Sequence, residues 1–245
     1  MITFTHAAAG NVVGGPRCYG VSRRRLNRGL QRSYIRAVAE ALLIISPVIV
    51  ARRAKPFDDP DWSYEVKVDG FRGLLRIERG RSPRFVSRSG AELPQFTALA
   101  GEIAREIDAE SAIFDGEIAA LNDNGRPVFL NLLRRRGPYL YFGFDLLYCN
   151  GVDLRELPLL ERRRRLNRVL PRKSMHMAGV LAVDGDGSKL FQVVCEHDLE
   201  GIVAKKMADR YARRTRWWKI KNPNYSQASD GRADLLTPRR RSPAR

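Results

Sequence analysis

The sequence predicts an α+β fold built on antiparallel sheets. Short runs of alternating apolar and polar residues recur between residues 64 and 221, with Asp-Gly and Asn-Gly turns among them, and few stretches keep helical spacing. Strands and helices do not alternate regularly, which argues against a βαβ wind. No internal repeat is visible.

Taken in order, residues 64–68 alternate as a strand, and residues 71–78 follow as its expected hairpin partner across Asp69-Gly70. Residues 84–88 make a third short strand. Leu99, Ile103 and Ile107 give residues 96–108 helical spacing. Residues 112–121 read as a strand, closed by the turn Asn122-Asp123-Asn124-Gly125. Residues 139–148 form an apolar strand ending at Asn150-Gly151. Residues 159–170 are an Arg-rich amphipathic helix, and residues 191–198 a further helix. Residues 201–205 and 217–221 read as strands. Around this organised part, 46–225, lie a basic arm, 1–45, expected to be mobile and containing a basic helix at 23–43, and a basic polar tail, 226–245.

Composition excludes several classes. The chain of 245 residues is 44% hydrophobic, which rules out disorder throughout. No apolar run approaches the roughly 20 residues of a membrane span. The N-terminus lacks the basic start and apolar stretch of a signal peptide. Cys18, Cys149 and Cys195 lie far apart, so a disulfide scaffold is not expected and a reducing cytoplasm fits.

Lys and Arg number 44 against 27 Asp and Glu, a formal net charge of +17. That excess points to a polyanion. Basic clusters at residues 23–25, 134–136, 162–165, 213–216 and 239–241 suggest phosphate contacts that position a backbone without reading sequence. Only eight of the basic residues are lysines: Lys55, Lys67, Lys173, Lys189, Lys205, Lys206, Lys219 and Lys221. Lysine, unlike arginine, can lose its proton and act as an amine nucleophile.

Neither a G-x-x-x-x-G-K-[ST] nor a G-x-G-x-x-G phosphate loop is present. Asp184-Gly185-Asp186-Gly187 starts like a calcium loop. Lys189 and Cys195 stand where Gly and Glu are required, so it reads as a polar turn. His6, His176 and His197 have no ligand spacing. Four stretches are informative. In the first, Glu65 and Lys67 share one strand face, followed by Asp69-Gly70 and Arg72. The second is Phe114-Asp115-Gly116-Glu117, an acidic pair at an expected bend. The third is Glu200-Gly201-Ile202-Val203-Ala204-Lys205. The fourth is Trp217-Trp218-Lys219-Ile220-Lys221, whose two lysines share a strand face.

Six motifs in this order resemble the ATP-dependent DNA ligases of the covalent nucleotidyltransferase superfamily, closest to the bacterial end-joining type. Lys67-Val68-Asp69-Gly70-Phe71-Arg72 resembles the nucleophile motif, and Phe85-Val86-Ser87-Arg88-Ser89-Gly90 the phosphate-binding motif after it. Asp115-Gly116-Glu117 resembles the third motif, and residues 142–151, with Phe144, the aromatic motif. Residues 200–205 and 219–221 resemble the fourth and fifth. The resemblance spans roughly residues 47–225. It implies a nucleotidyltransferase, ATP-grasp-like adenylation domain with antiparallel sheets flanked by helices.

It also implies roles. Lys67 attacks the α-phosphate of ATP to give lysyl-AMP, which requires an unprotonated amine. Lys219, Lys221, Arg72 and a bound Mg²⁺ (or Mn²⁺) are the cations expected to lower its pKa. Glu117 and Glu200 suit the metal, with the ribose hydroxyls an alternative partner for Glu117. Phe144 stacks on adenine, Glu65 accepts from its amino group, and Arg72 and Arg88 touch the nucleotide or a DNA 5′-phosphate. AMP then passes to that 5′-phosphate at nicked or broken double-stranded DNA, in repair or recombination. Such a chain would be cytoplasmic, bacterial and associated with the nucleoid. The family's OB-fold domain normally follows the fifth motif, but only 24 residues follow Lys221. The expectation is an adenylation domain without a C-terminal OB-fold, with a partner protein as one source of the missing function. Competing readings are an RNA ligase, a capping-type nucleotidyltransferase, and a DNA-binding relic with impaired catalysis.

Overall fold

A computed structural model of the chain describes residues 45–78 and 80–229. The expected helix at 23–43, residues 23–25 and residues 239–241 lie outside the described residues.

Two sheets carry the fold. In the first, β1 (Ile49–Arg52), β11 (Arg216–Lys221), β10 (Gly201–Lys206), β2 (Asp59–Val66) and β9 (Ala182–Gly185) lie side by side in that order. In the second the order is β4 (Arg84–Ser87), β3 (Phe71–Ile77), β5 (Ala112–Ala120), β6 (Tyr139–Cys149) and β7 (Val152–Asp153), with β8 (Met177–Gly179) also on β6. Pairing is antiparallel except for β1 on β11 and β8 on β6. The helices are α1 (Thr97–Glu106), α2 (Phe129–Leu133), α3 (Leu159–Val169) and α4 (Gly187–Glu196). None of them is long and apolar enough to cross a membrane.

The helices cover the sheets with their apolar stripes. Leu99 and Ile103 of α1 and Leu166 of α3 join Leu75, Phe85, Phe114, Ile118 and Tyr141 in the core of the second sheet. Leu190 and Val194 of α4 pack on Tyr64, Ile202 and Ile220 of the first. The expected helix at 191–198 therefore starts earlier, at Gly187. Its polar lead-in is partly strand, because Asp184 and Gly185 end β9 and pair with β2.

Residues 64–68 and 71–78 do not form a hairpin. β2 pairs with β10 and β9, whereas β3 pairs with β4 and β5 in the other sheet. Alternation reports which face a residue occupies and is silent about the strand next to it. Here the chain crosses between sheets at Gly70, so close to β5 that a Cβ would lie 2.1 Å from the Ile118 carbonyl oxygen. The crossing leaves Lys67 between the sheets. The acidic pair Asp115 and Glu117 lies within β5 and makes no bend. The irregularity there is a register shift against β6 between Asp115 and Gly116. A Cβ on Gly116 would meet the Tyr141 ring at 2.4 Å.

Gly201 has φ of 149°, and a Cβ there would lie 2.2 Å from the Ile220 carbonyl oxygen. Gly201→Ala is expected to lower the unfolding free energy by about 1–3 kcal/mol in chemical denaturation. Gly101→Ala is the control. It sits within α1 with open space around its Cβ position. It is expected to gain about 0.5–1 kcal/mol.

Candidate active site

β2 ends at Val66, and Lys67 continues its line by donating its backbone N–H to the Gly201 carbonyl at 2.9 Å. This bond extends the β2–β10 ladder to the point where Glu200 enters β10. The Lys67 ammonium accordingly meets Glu200, donating from Nζ to Oε2 at 2.6 Å. The other oxygen, Oε1, lies 3.1 Å from Lys221 Nζ. Glu200 is almost buried, and burial alone would raise its pKa. The two ammonium groups hold it below the ordinary value instead.

Lys67 opens into a cavity of about 780 Å³. Glu65, Arg72, Arg88, Glu117, Phe144 and Lys219 line it as well. Glu200 and Lys221 join through the ion pairs behind Lys67. All nine residues singled out in the sequence thus converge on one place. β1, unmarked in the sequence, adds a wall through Ile49 and Val50.

The electrostatics differ from expectation at Lys67. Nearby cations were expected to lower its pKa. Burial does push it down, but the carboxylates of Glu200, Glu117 and Asp69 outweigh burial and hold it above its ordinary value. At Glu117 burial wins instead. Burial pushes its carboxyl up to about 8, against the pull of Lys67 and Arg72. Lys219 is lowered by burial, with Lys221 and Lys67 adding to the effect.

Other side chains serve as a buried support. Arg72 grips Asp115 with two bonds, Nε to Oδ1 at 3.0 Å and Nη2 to Oδ2 at 2.6 Å, and Nη1 donates to the Val48 carbonyl at 2.9 Å. Tyr211 donates to the same Asp115 at 2.7 Å. Arg72 is therefore engaged by the protein itself, and any contact it makes with a nucleotide comes in addition. Glu65 is also occupied. Arg163 Nη2 donates to its Oε1 at 3.1 Å, and Lys205 Nζ lies 2.5 Å from its Oε2, an ion pair without hydrogen-bond alignment. Lys205 also sits 4.3 Å from the Phe144 ring centroid and 4.0 Å from that of Trp217. Burial holds its pKa below the ordinary value.

Asp115, Lys205 and Trp217 fall inside the quoted motifs but carried no assigned role. Tyr211 had no signal beyond its residue type, and Arg163 was marked only as part of a basic cluster. Among the basic clusters, residues 162–165 are mostly spent on internal pairs. Arg162 is buried and doubly bonded to Asp145 at 2.8 Å, Arg163 holds Glu65 and Asp184, and Arg165 pairs with Glu161. Residues 134–136 and Arg213, Arg214 and Arg216 are exposed.

The site is a partly exposed lysine beside carboxylates, with further cations and an aromatic wall around one cavity. It suits an amine nucleophile and a polyphosphate. Comparison with known proteins gives the same answer. The model of the ATP dependent DNA ligase domain matches residues 48–221. The multifunctional non-homologous end joining protein LigD of Pseudomonas aeruginosa is 35% identical over 172 residues, covering 64% of this chain and 20% of that protein. A probable DNA ligase of Rhodococcus jostii is 34% identical over 179 residues, 68% of this chain and 35% of that protein. The chain thus spans about a fifth to a third of the curated relatives it matches. The solved mycobacterial DNA ligase D in complex with ATP and MES superposes with a TM-score of 0.60 at 28% identity, covering 72% of this chain and 60% of that one. The chain belongs to the ATP-dependent DNA ligase family, and its two-sheet fold is that family's adenylation domain.

Proposed function

We propose that residues 46–225 form the catalytic part of an ATP-dependent ligase acting on nicked or broken double-stranded DNA. The observation that carries this reading is the Lys67 ammonium in the cavity, held by Glu200 at 2.6 Å. Lys67 attacks the α-phosphate of ATP. An N–P bond forms, the bond to the pyrophosphate oxygen breaks, and pyrophosphate leaves. The Lys67 ammonium must first lose a proton to solvent, which frees the amine lone pair for attack. Lys219 and Arg88 face the cavity with the positive charge that the phosphates require. By the family's pattern Phe144 stacks on adenine and Glu65 accepts from its amino group. Lys205 and Arg163 would hold that carboxylate in place. AMP then passes to a DNA 5′-phosphate, and the adjacent 3′-hydroxyl displaces it.

Glu117 and Glu200 fit a hard divalent cation. Among the described residues no cluster of three His, Cys, Asp or Glu side chains suits a metal. Two carboxylates completed by substrate phosphates suit Mg²⁺, which usually keeps few protein ligands. When bound, the cation supplies charge that offsets the carboxylates around Lys67 and the phosphates of ATP. Since the Glu117 carboxyl titrates near 8, its binding to a cation at neutral pH would release a proton. The exposed arginines at 134–136 and 213–216 supply a sequence-neutral hold on DNA. The convergence of intact charged side chains on Lys67 favours an enzyme over a relic with impaired catalysis.

Incubation with α-labelled ATP and Mg²⁺, followed by denaturing electrophoresis, is expected to give a covalently labelled chain. Lys67→Ala abolishes the label, and Glu200→Gln slows its formation by roughly a hundredfold. Absence of label with ATP, GTP or any divalent ion would refute the reading.

A second expectation concerns pH. The folded pKa of Glu117, about 8, exceeds the ordinary 4.5. Its contribution to stability is complete below the ordinary value and is lost as pH rises through about 8. Thermal unfolding of metal-free protein between about pH 6 and 9 should show a falling Tm that Glu117→Gln flattens. Parallel slopes in the two proteins would contradict the assignment.

A further inference from the structure

The residues after β11 do not simply leave the domain. Asn222 donates its backbone N–H to the Glu200 carbonyl at 3.0 Å and its amide to the Leu199 carbonyl at 3.1 Å. The Tyr225 hydroxyl, buried, donates to Asp69 Oδ2 at 2.9 Å. Ser226 donates twice to Asp198, from N to Oδ1 at 2.9 Å and from Oγ to Oδ2 at 2.6 Å. Gln227 donates to the Pro127 carbonyl at 3.0 Å and accepts from the Phe129 N–H at 3.2 Å. One short stretch thus reaches the crossing after β2, the residues leading into β10 and the start of α2. It holds two segments of special interest. Asp69 lies two residues beyond Lys67, and Asp198–Glu200 leads directly to the carboxylate that holds Lys67. Each half of the Lys67–Glu200 pair is tied to the same strap.

Those bonds are more than ordinary chain packing requires. Asp69 and Asn222 are buried polar groups, which a fold retains only when they are bonded. The tie to Asp69 spans 156 residues of sequence. The crossing keeps a ladder bond at Lys67, whose N–H meets the Gly201 carbonyl, and the buried bond at Asp69 adds a fixed point two residues further on.

We propose that Tyr225 is a positioning residue for Lys67, acting through Asp69 as the central tie of a strap, residues 222–229, that keeps the nucleophile and Glu200 in register. The inference rests on the reading of Lys67 as the adenylated residue. A shift of about an ångström at an attacking atom costs up to a hundredfold in rate. The strap therefore acts on the rate of N–P bond formation and leaves the affinity of the cavity for ATP unchanged.

The test is single-turnover formation of labelled lysyl-AMP by the full chain and by Tyr225→Phe, which keeps the ring and removes the hydroxyl. At saturating ATP the rate constant is expected to fall about tenfold. The ATP concentration for half-maximal rate and the labelled fraction should stay constant. A purely structural role would instead reduce the labelled fraction and leave the rate constant unchanged, which would overturn the proposal. Amide hydrogen exchange gives an arm independent of activity. Peptides containing residues 67–70 and 198–201 should exchange several-fold faster in Tyr225→Phe, with β6 unchanged. Unchanged exchange in a folded variant would also overturn the proposal. If the parent chain takes no label, the ligase reading fails and the exchange arm decides the strap alone. Should Tyr225→Phe not fold, Ser226→Ala, at an exposed position, is expected to shift rate and exchange in the same direction by about threefold.

Discussion

The ion pair between Lys67 and Glu200 is the contact on which the site depends. It is made by backbone register. Val66 faces Ile202 in the β2–β10 ladder, the Lys67 N–H bonds the Gly201 carbonyl, and the two side chains meet just beyond. Gly201 permits this approach, since β11 leaves no room for a Cβ. The pair also fixes the chemical state of Lys67. With Glu200, Glu117 and Asp69 around it, Lys67 rests as a protected ammonium. On the proposed reading, positive charge must enter the cavity and offset those carboxylates before the amine reacts.

Behind the pair lies a layer of buried charges, each matched. Arg72 with Asp115, Arg162 with Asp145, and Lys205 and Arg163 with Glu65 join strands of both sheets to α3 and to the loop carrying Tyr211. Buried ions are costly unless paired and hydrogen bonded, and removing one partner leaves the other stranded. Such a layer adds little net stability over an apolar one, but its bidentate geometry fixes where the side chains point. The aromatic residues Phe144, Trp217 and Tyr211 pack edge to face within it, leaving Phe144 as a wall of the cavity.

Much of this was legible in the sequence, and the limits have physical causes. The nine residues named through the resemblance lie together around Lys67, because the motifs that carry them sit on strands facing one cavity. Strands with clear alternation, β3, β5, β6, β10 and β11, lie close to where the pattern set them. Pairing was not legible. Residues 64–68 and 71–78 looked like a hairpin because adjacent alternating runs around Asp-Gly usually are one, and the demand for Gly70 comes from a strand remote in sequence. Short edge strands β1, β8 and β9 carry too few residues for a pattern. The pKa of Lys67 was misjudged because charge was counted along the motifs, whereas its nearest neighbours in space are carboxylates. The residues 162–165 looked like a phosphate patch for a similar reason, since a charge count does not see that Asp145 is waiting beneath.

The central claim is that Lys67 rests as an ammonium held by Glu200. The direct measurement is an NMR titration of the Lys67 side-chain nitrogen in the metal-free, ATP-free protein, with Glu200→Gln alongside. The account requires Lys67 to titrate above its ordinary 10.5 and Glu200→Gln to bring that value down. A Lys67 that already titrates near neutrality in the free protein, or one indifferent to Glu200→Gln, would contradict it.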